Sequence, residues 1–192
     1  MRDPRYAKLA GVLVNYSVAI EKGELVEISG GAIAAPLIAE IYREVLRVGA
    51  HPFLRLGLPG LTETFFKTAK QHQLKFVNPI SEFEVEKVDK VISLWGTDNT
   101  KAMAGMDPKK QAIRSKATSR LFLKFMEREA AGELRWVGTQ FPCNASAQDA
   151  EMSLEEYEDF VLKACMLHVK DPIAAWKRVR GKQKKICTQL NE

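Results

Sequence analysis

Histidines, cysteines and paired carboxylates are the groups in this sequence able to handle a metal or a nucleophilic reaction, and their spacing assembles no complete set. Cys165-Met166-Leu167-His168 is spaced like two metal ligands on one helix face, but the remaining ligands cannot be named. The other histidines, His51 and His72, are scattered and no H-E-x-x-H occurs, so packing or surface roles account better for all three. Cys143 follows the end of an expected strand, yet no base stands beside it to generate the thiolate that attack requires. There is no G-x-S-x-G nucleophile elbow. Glu155-Glu156 and Glu158-Asp159 fit the solvated start of a helix, where acids favour the macrodipole. Ser29-Gly30-Gly31 after a strand suggests a phosphate turn, but G-x-G-x-x-G is absent and the next strand ends in Arg55-Leu56-Gly57 without a ribose-binding acid. Those glycines read as a tight strand-to-helix turn.

The elements that position these groups alternate between strand and helix. Leu9, Val12, Leu13, Tyr16 and Ile20 recur at helical spacing over about Pro4 to Ile20. Glu24 to Ile28 reads as a strand, Ala32 to Val48 as a helix with Gly49 at its left-handed cap, and Pro52 to Leu56 as a strand. That is a βαβ crossover, which is right-handed and sets its strands parallel. A helix over Thr62 to Gln71, a short strand at Leu74 to Val77, a turn at Pro79 and a strand from Lys90 to Trp95 follow. Asp107-Pro108 then opens a long helix, with Gly132 just beyond its end. Its stripe of Ile113, Ala117, Leu121 and Phe125 is expected to face a core, with the lysines and arginines between them on a solvated outer face. Leu134 to Val137 is the next strand, and Ser153-Leu154-Glu155-Glu156 is a capping box that starts a further helix. Asp171-Pro172 opens a last helix, basic and thinly apolar, which reads as a connector. The expected fold class is α/β: three layers, a mostly parallel Rossmann-like sheet with helices on both faces. Residues 1–170 form the α/β domain, and residues 171–192 a basic connecting helix toward a second, metal-binding domain absent from this chain. In such a sheet, ligands bind beyond the carboxyl ends of the strands, so the candidate loops are residues 29–32, 57–60, 96–100 and 138–144.

Length and composition agree. A chain of 192 residues, 46% hydrophobic, holds enough apolar material for one buried core. Nothing at the start reads as a secretory signal and no apolar run reaches a membrane span, so a cytoplasmic protein without membrane contact is expected. Cys143, Cys165 and Cys187 are odd in number and widely spaced, as reduced thiols are. The net charge of +5 is concentrated between Lys177 and Lys185, where six basic residues stand without an acid. Basicity confined to one tail is not the spread, aromatic-interleaved face of a nucleic-acid domain.

Three stretches resemble the aminopeptidase T family of metallo-aminopeptidases. Leu13-Val14-Asn15-Tyr16-Ser17 with Lys22-Gly23-Glu24 is similar to the family's opening helix and first strand, and Val48-Gly49-Ala50-His51-Pro52 to its first crossover. The longest runs from Gly132-Glu133-Leu134-Arg135-Trp136-Val137-Gly138-Thr139-Gln140-Phe141-Pro142 through Asn144 to Ala150 and on to Met152-Ser153-Leu154-Glu155-Glu156-Tyr157-Glu158. The resemblance covers nearly the whole chain but only the front part of a family member. It implies an intact enzyme, a homodimer, that removes amino-terminal residues from peptide substrates with two divalent metals such as zinc, cobalt or magnesium. The family's metal ligands lie in its second half, so no catalytic or metal residue is expected in this chain and no cofactor in it. The piece supports the substrate cavity and the dimer and is expected to be inactive alone. Gly138, Thr139, Gln140, Phe141 and Pro142, at a strand's carboxyl end, are expected to line the cleft of the complete enzyme. The competing reading is a stand-alone α/β module that binds a small ligand or serves assembly.

Overall fold

A computed structural model describes residues 3–191. Four strands form one sheet, β1 (Leu25–Gly31), β2 (His51–Gly57), β3 (Lys90–Trp95) and β4 (Arg135–Gln140), in the order β2-β1-β3-β4. All neighbours are parallel, with Val26 level with Pro52 on one side and Lys90 on the other, and Lys90 level with Arg135. Helices lie on both faces, which makes this the expected three-layer α/β architecture with an all-parallel sheet. Among the described residues no helix is long and apolar enough to cross a membrane.

One face is well covered. α1 (Pro4–Val12) runs into a π-helical turn at Leu13–Ser17, closed by Val18 N–H on the Leu13 carbonyl at 3.1 Å, instead of the single helix to Ile20 that the spacing suggests. α2 (Ala35–Val48) fills the first crossover and ends on Gly49 in the left-handed region at φ 85°. Its Leu37, Ile41 and Val45 are fully buried against Val26 and Ile28 of β1 and Ile92 of β3. Each such side chain contributes about 1.5–3 kcal/mol by leaving water.

The other face is thin. α3 (Leu61–Thr68), α4 (Gln71–Lys75), α5 (Pro79–Lys87) and the 23-residue α6 (Pro108–Ala130) lie there. The segment Leu74 to Val77, read from sequence as a strand, is not one: Leu74 is buried inside α4, whose start is tied by Lys70 N–H to Gln73 Oε1 at 2.9 Å. Pro79 likewise marks no free turn but the first residue of α5, whose cap Asn78 accepts from Ile80 N–H at 3.0 Å. Asp107 caps α6 as expected, accepting from Lys109 N–H at 2.8 Å. The stripe of Ile113, Ala117, Leu121 and Phe125 is only half-buried, and no residue of α6 is buried. An open recess of about 460 Å³, bounded by Leu121, Phe125 and Trp136, explains why. The core on this side reduces to Val88, Val91 and Leu134, with Phe53 and Phe125 against them.

The chain then passes through α7 (Asn144–Asp149) to α8 (Leu154–Ala164), where the Ser153/Glu156 capping box forms as read, and to α9 (Pro172–Asn191). α8 returns to the first face and adds Leu162 to the main core. From Gly181 onward every described residue of α9 is exposed.

Candidate functional site

β1 is central, and the chain leaves it first toward β2 and later to β3 on its other side. This reversal opens a crevice beyond the carboxyl ends of the strands, because the two crossovers depart to opposite sides. The crevice encloses about 290 Å³ and is lined by the turns after β1, β2 and β3 together with the start of α3. Three of the four candidate loops converge on it.

Glycine is required at its floor. A Cβ built on Gly31 would lie 2.9 Å from the Gly96 carbonyl oxygen, so the turn after β1 passes the turn after β3 at backbone contact. Close approach, not a phosphate, is therefore reason enough for the pair Gly30-Gly31. The polar groups of the crevice are Thr62, Glu63, Thr97, Asp98 and Asn99. Thr97 Oγ1 and the Asn99 backbone bond each other in both directions at 3.2 Å, which fixes the β3 loop. Glu63 is engaged by Lys67 one turn further along α3. Two helix starts open on the crevice without a side-chain cap, the 3₁₀ turn Ala32–Ala34 and α3 behind Gly60. The arrangement offers backbone amides and a few polar side chains to a small ligand; it contains no nucleophile beside a base.

The five residues expected at a cleft stand behind this crevice. Gly138 lies under the Trp95 indole. Thr139 is buried and its hydroxyl bonds the Cys165 thiol. Gln140 donates from Nε2 to Ser146 Oγ at 3.1 Å and to the Phe141 carbonyl at 3.2 Å. Phe141 is buried, tilted against Tyr6 at 5.7 Å between ring centroids, and Pro142 is buried beside it. Phe141 also backs Gly96, the first residue of the β3 loop, and this is the segment's contact with the crevice wall.

Cys143 was legible in the sequence only as a residue past a strand end. Burial acts on its thiol most strongly and upward, yet hydrogen bonds from Ser146 and from the backbone of Thr97 outweigh it and leave the thiol below its ordinary value. Cys143 Sγ sits 3.2 Å from Ser146 Oγ. The side chain thus stitches the start of α7 to the crevice loop. The Cys165 thiol is pushed up by burial. Cys165 and His168 do not share a helix face: α8 ends at Ala164, and Met166 takes a positive φ of 62° between them. His51, His72 and His168 are exposed on separate elements. Among the described residues no three of His, Cys, Asp and Glu converge as a metal site. Glu63 and Thr62 were missed from the sequence because α3 reads simply as a helix after a glycine turn.

Comparison with known proteins places this geometry. The profile of the family described as thermophilic metalloprotease (M29) matches residues 2–192. Among solved structures, wild-type AmpT from Thermus thermophilus superposes with a TM-score of 0.74 at 21% identity, over 91% of this chain and 45% of its own. The chain therefore spans less than half the length of that relative. The CurK enoyl reductase aligns over 82% of this chain and 57% of its own at 11% identity with a TM-score of 0.27, too low to bear on the fold. No curated protein matches.

Proposed function

This chain belongs to the thermophilic metalloprotease (M29) family, and we propose that it is the amino-terminal α/β domain of a metal-dependent aminopeptidase that removes amino-terminal residues from peptides. The observation that carries this reading is a family match along the whole chain combined with coverage of only 45% of AmpT. The metals of such an enzyme, two divalent ions such as zinc, cobalt or magnesium, would activate water and polarise the scissile carbonyl. Among the described residues none fits that pair: the histidines lie apart, and the acids that do gather, Asp3, Glu158 and Asp159, are held by Arg5. On this reading the ions are held outside the present sequence, and this domain supports the substrate cavity and the homodimer of a cytoplasmic enzyme.

Gly138 to Pro142 enter as part of that support. Gln140 is the half-buried polar member and, through Phe141, the segment braces the β3 loop. In an intact enzyme carrying this domain, Thr139→Ala and Gln140→Ala should change turnover or the Michaelis constant; unchanged values for both would remove the segment from the cleft. The main reading is tested by the intact mass of the native gene product against 21.6 kDa, with peptide turnover assayed under added divalent metal. A larger, active product supports it, and a native product of this mass without turnover overturns it. The second outcome would favour a free-standing small-ligand module, which the 290 Å³ crevice at the strand reversal supports.

A further inference from the structure

The recess between α5, α6 and the sheet has two unlike ends. Arg114, Thr118, Leu121 and Phe125 follow at steps of three and four residues, so they share the side of α6 that borders it. Eleven residues separate Arg114 from Phe125, about 16 Å along the helix axis. Arg120 reaches Glu82 and Lys124 reaches Glu86, so α5 advances beside α6 and Ser81 lies toward the Arg114 end. Met126 and Trp136 close the other end. The ends therefore differ in kind, cationic and hydroxylic at one and apolar at the other, and about 460 Å³ is room for a small molecule.

Charge around the recess is matched except at one group. Arg120, Lys124 and Arg128 of α6, read from sequence as a solvated face, meet Glu82, Glu86 and Glu133. Of the two arginines that line the recess, Arg55 meets Glu84 and lies 3.9 Å from Glu27. Arg114 meets no acid among the described residues. Its guanidinium donates to the Phe76 carbonyl at 2.5 Å and stands 5.7 Å over the Phe65 ring, which fixes the fork and leaves further N–H donors for a ligand. A half-buried cation beside apolar surface, without a counter-ion, is completed by an anion that carries an apolar body. We propose that the recess binds a small aliphatic monocarboxylate, its carboxylate on the Arg114 fork and its alkyl chain running past Leu121 and Phe125 to Trp136. A dianion fits less well, because Glu84 already occupies Arg55 and no second free cation lines the recess. The inference goes beyond the peptidase reading and does not depend on it.

Titration calorimetry of this chain with dodecanoate tests the site, with a Kd on the order of 0.1 mM expected. Dodecanol, which lacks the charge, and dodecyltrimethylammonium, which reverses it, should each bind at least about tenfold more weakly. Arg114→Met should weaken dodecanoate by about tenfold or more, and Arg114→Lys should keep part of the affinity. Lys116→Met, the same loss of charge at an exposed position of α6, should leave binding unchanged. Ser81→Glu sets a carboxylate at the cationic end, on the third residue of α5, where an acid suits a helix start. It should abolish binding with the melting temperature unchanged, and it decides the matter if Arg114→Met does not fold. Indole emission should shift on binding, and Trp136→Phe should remove most of that shift. No heat at millimolar dodecanoate, equal affinity for dodecanol, binding that survives both Arg114→Met and Ser81→Glu, or self-association of the chain that Trp136→Glu abolishes would each overturn the proposal.

Discussion

The indole of Trp95 lies so close over Gly138 that a Cβ at that position would stand 2.3 Å from the ring. Trp95 ends β3 and Gly138 sits within β4, paired with Ser93 two residues before it. The edge strand therefore accepts the ring only because it presents no side chain there. Gly138→Ala should cost about 1–3 kcal/mol through overpacking, read by urea denaturation. Trp95→Ala in the same chain should recover part of it by clearing the space. An unchanged midpoint for Gly138→Ala would show that the ring moves aside freely.

The two faces of the sheet should respond unequally to truncation. Ile41 is fully buried, and Ile41→Ala should cost about 2–5 kcal/mol. Leu121 on α6 borders an open recess and is only half-buried, so Leu121→Ala should cost under about 1.5 kcal/mol, since little of its surface leaves water on folding. Equal losses in thermal denaturation would mean that α6 packs on the sheet more tightly than its exposure indicates.

Arg5 joins the first helix to α8. Its guanidinium bonds Asp3 at 2.7 Å and Asp159 at 2.5 Å, with Glu158 at 3.6 Å, and Tyr6 donates to Glu158 at 2.5 Å. The hydrogen bond from Arg5 holds the Asp3 carboxyl below its usual 3.8. A carboxyl depressed in the folded state stabilises above its unfolded value and loses that contribution as pH falls through the folded one. Arg5→Ala should therefore destabilise by about 1 kcal/mol at pH 7, a modest figure because the pair is partly exposed. The gap between wild type and variant should close below about pH 4. A gap that stays constant down to pH 2 would assign the effect to packing of the arginine stem.

The cysteines differ in access. Cys187 is exposed, Cys165 half-buried and Cys143 buried. A colorimetric thiol reagent at pH 8 should label one cysteine within minutes and the other two only on a timescale set by local opening, because attack needs access as well as thiolate. Cys187→Ser should abolish the fast phase. Fast labelling of Cys143 in the folded chain would contradict the closed packing around Ser146 and Thr97.

Residue patterns that act locally were legible in the sequence. Asp107-Pro108, Gly49 and the Ser153 to Glu156 box mark helix ends by chemistry confined to one turn, and each appears where expected. The four strands were also readable, because residues such as Val26, Ile28 and Ile92 sit in short apolar runs bounded by turns, although β4 continues past Val137 through Gly138 to Gln140. Leu74 to Val77 failed because a short apolar run has no intrinsic preference strong enough to outweigh a helix cap and the Asn78-Pro79 start beside it. The crevice loops could be named from topology alone, but Glu63 could not, since it reaches the crevice through the placement of α3. The contact of Thr97 with Cys143 was equally hidden, as it joins turns 46 positions apart.

The main core brings Leu9 of α1 together with Leu162 of α8 and Leu167 just after it. On the ribosome α1 therefore cannot complete its burial until about 150 further residues have been made. Between those events α1 and α2 can associate around β1, but one apolar side remains open. Contacts so distant along the chain slow folding, because the loop between them must close before they are rewarded. While that stretch is being made the nascent chain would hold an unfinished greasy surface, and a chaperone that recognises such surfaces has its longest opportunity there.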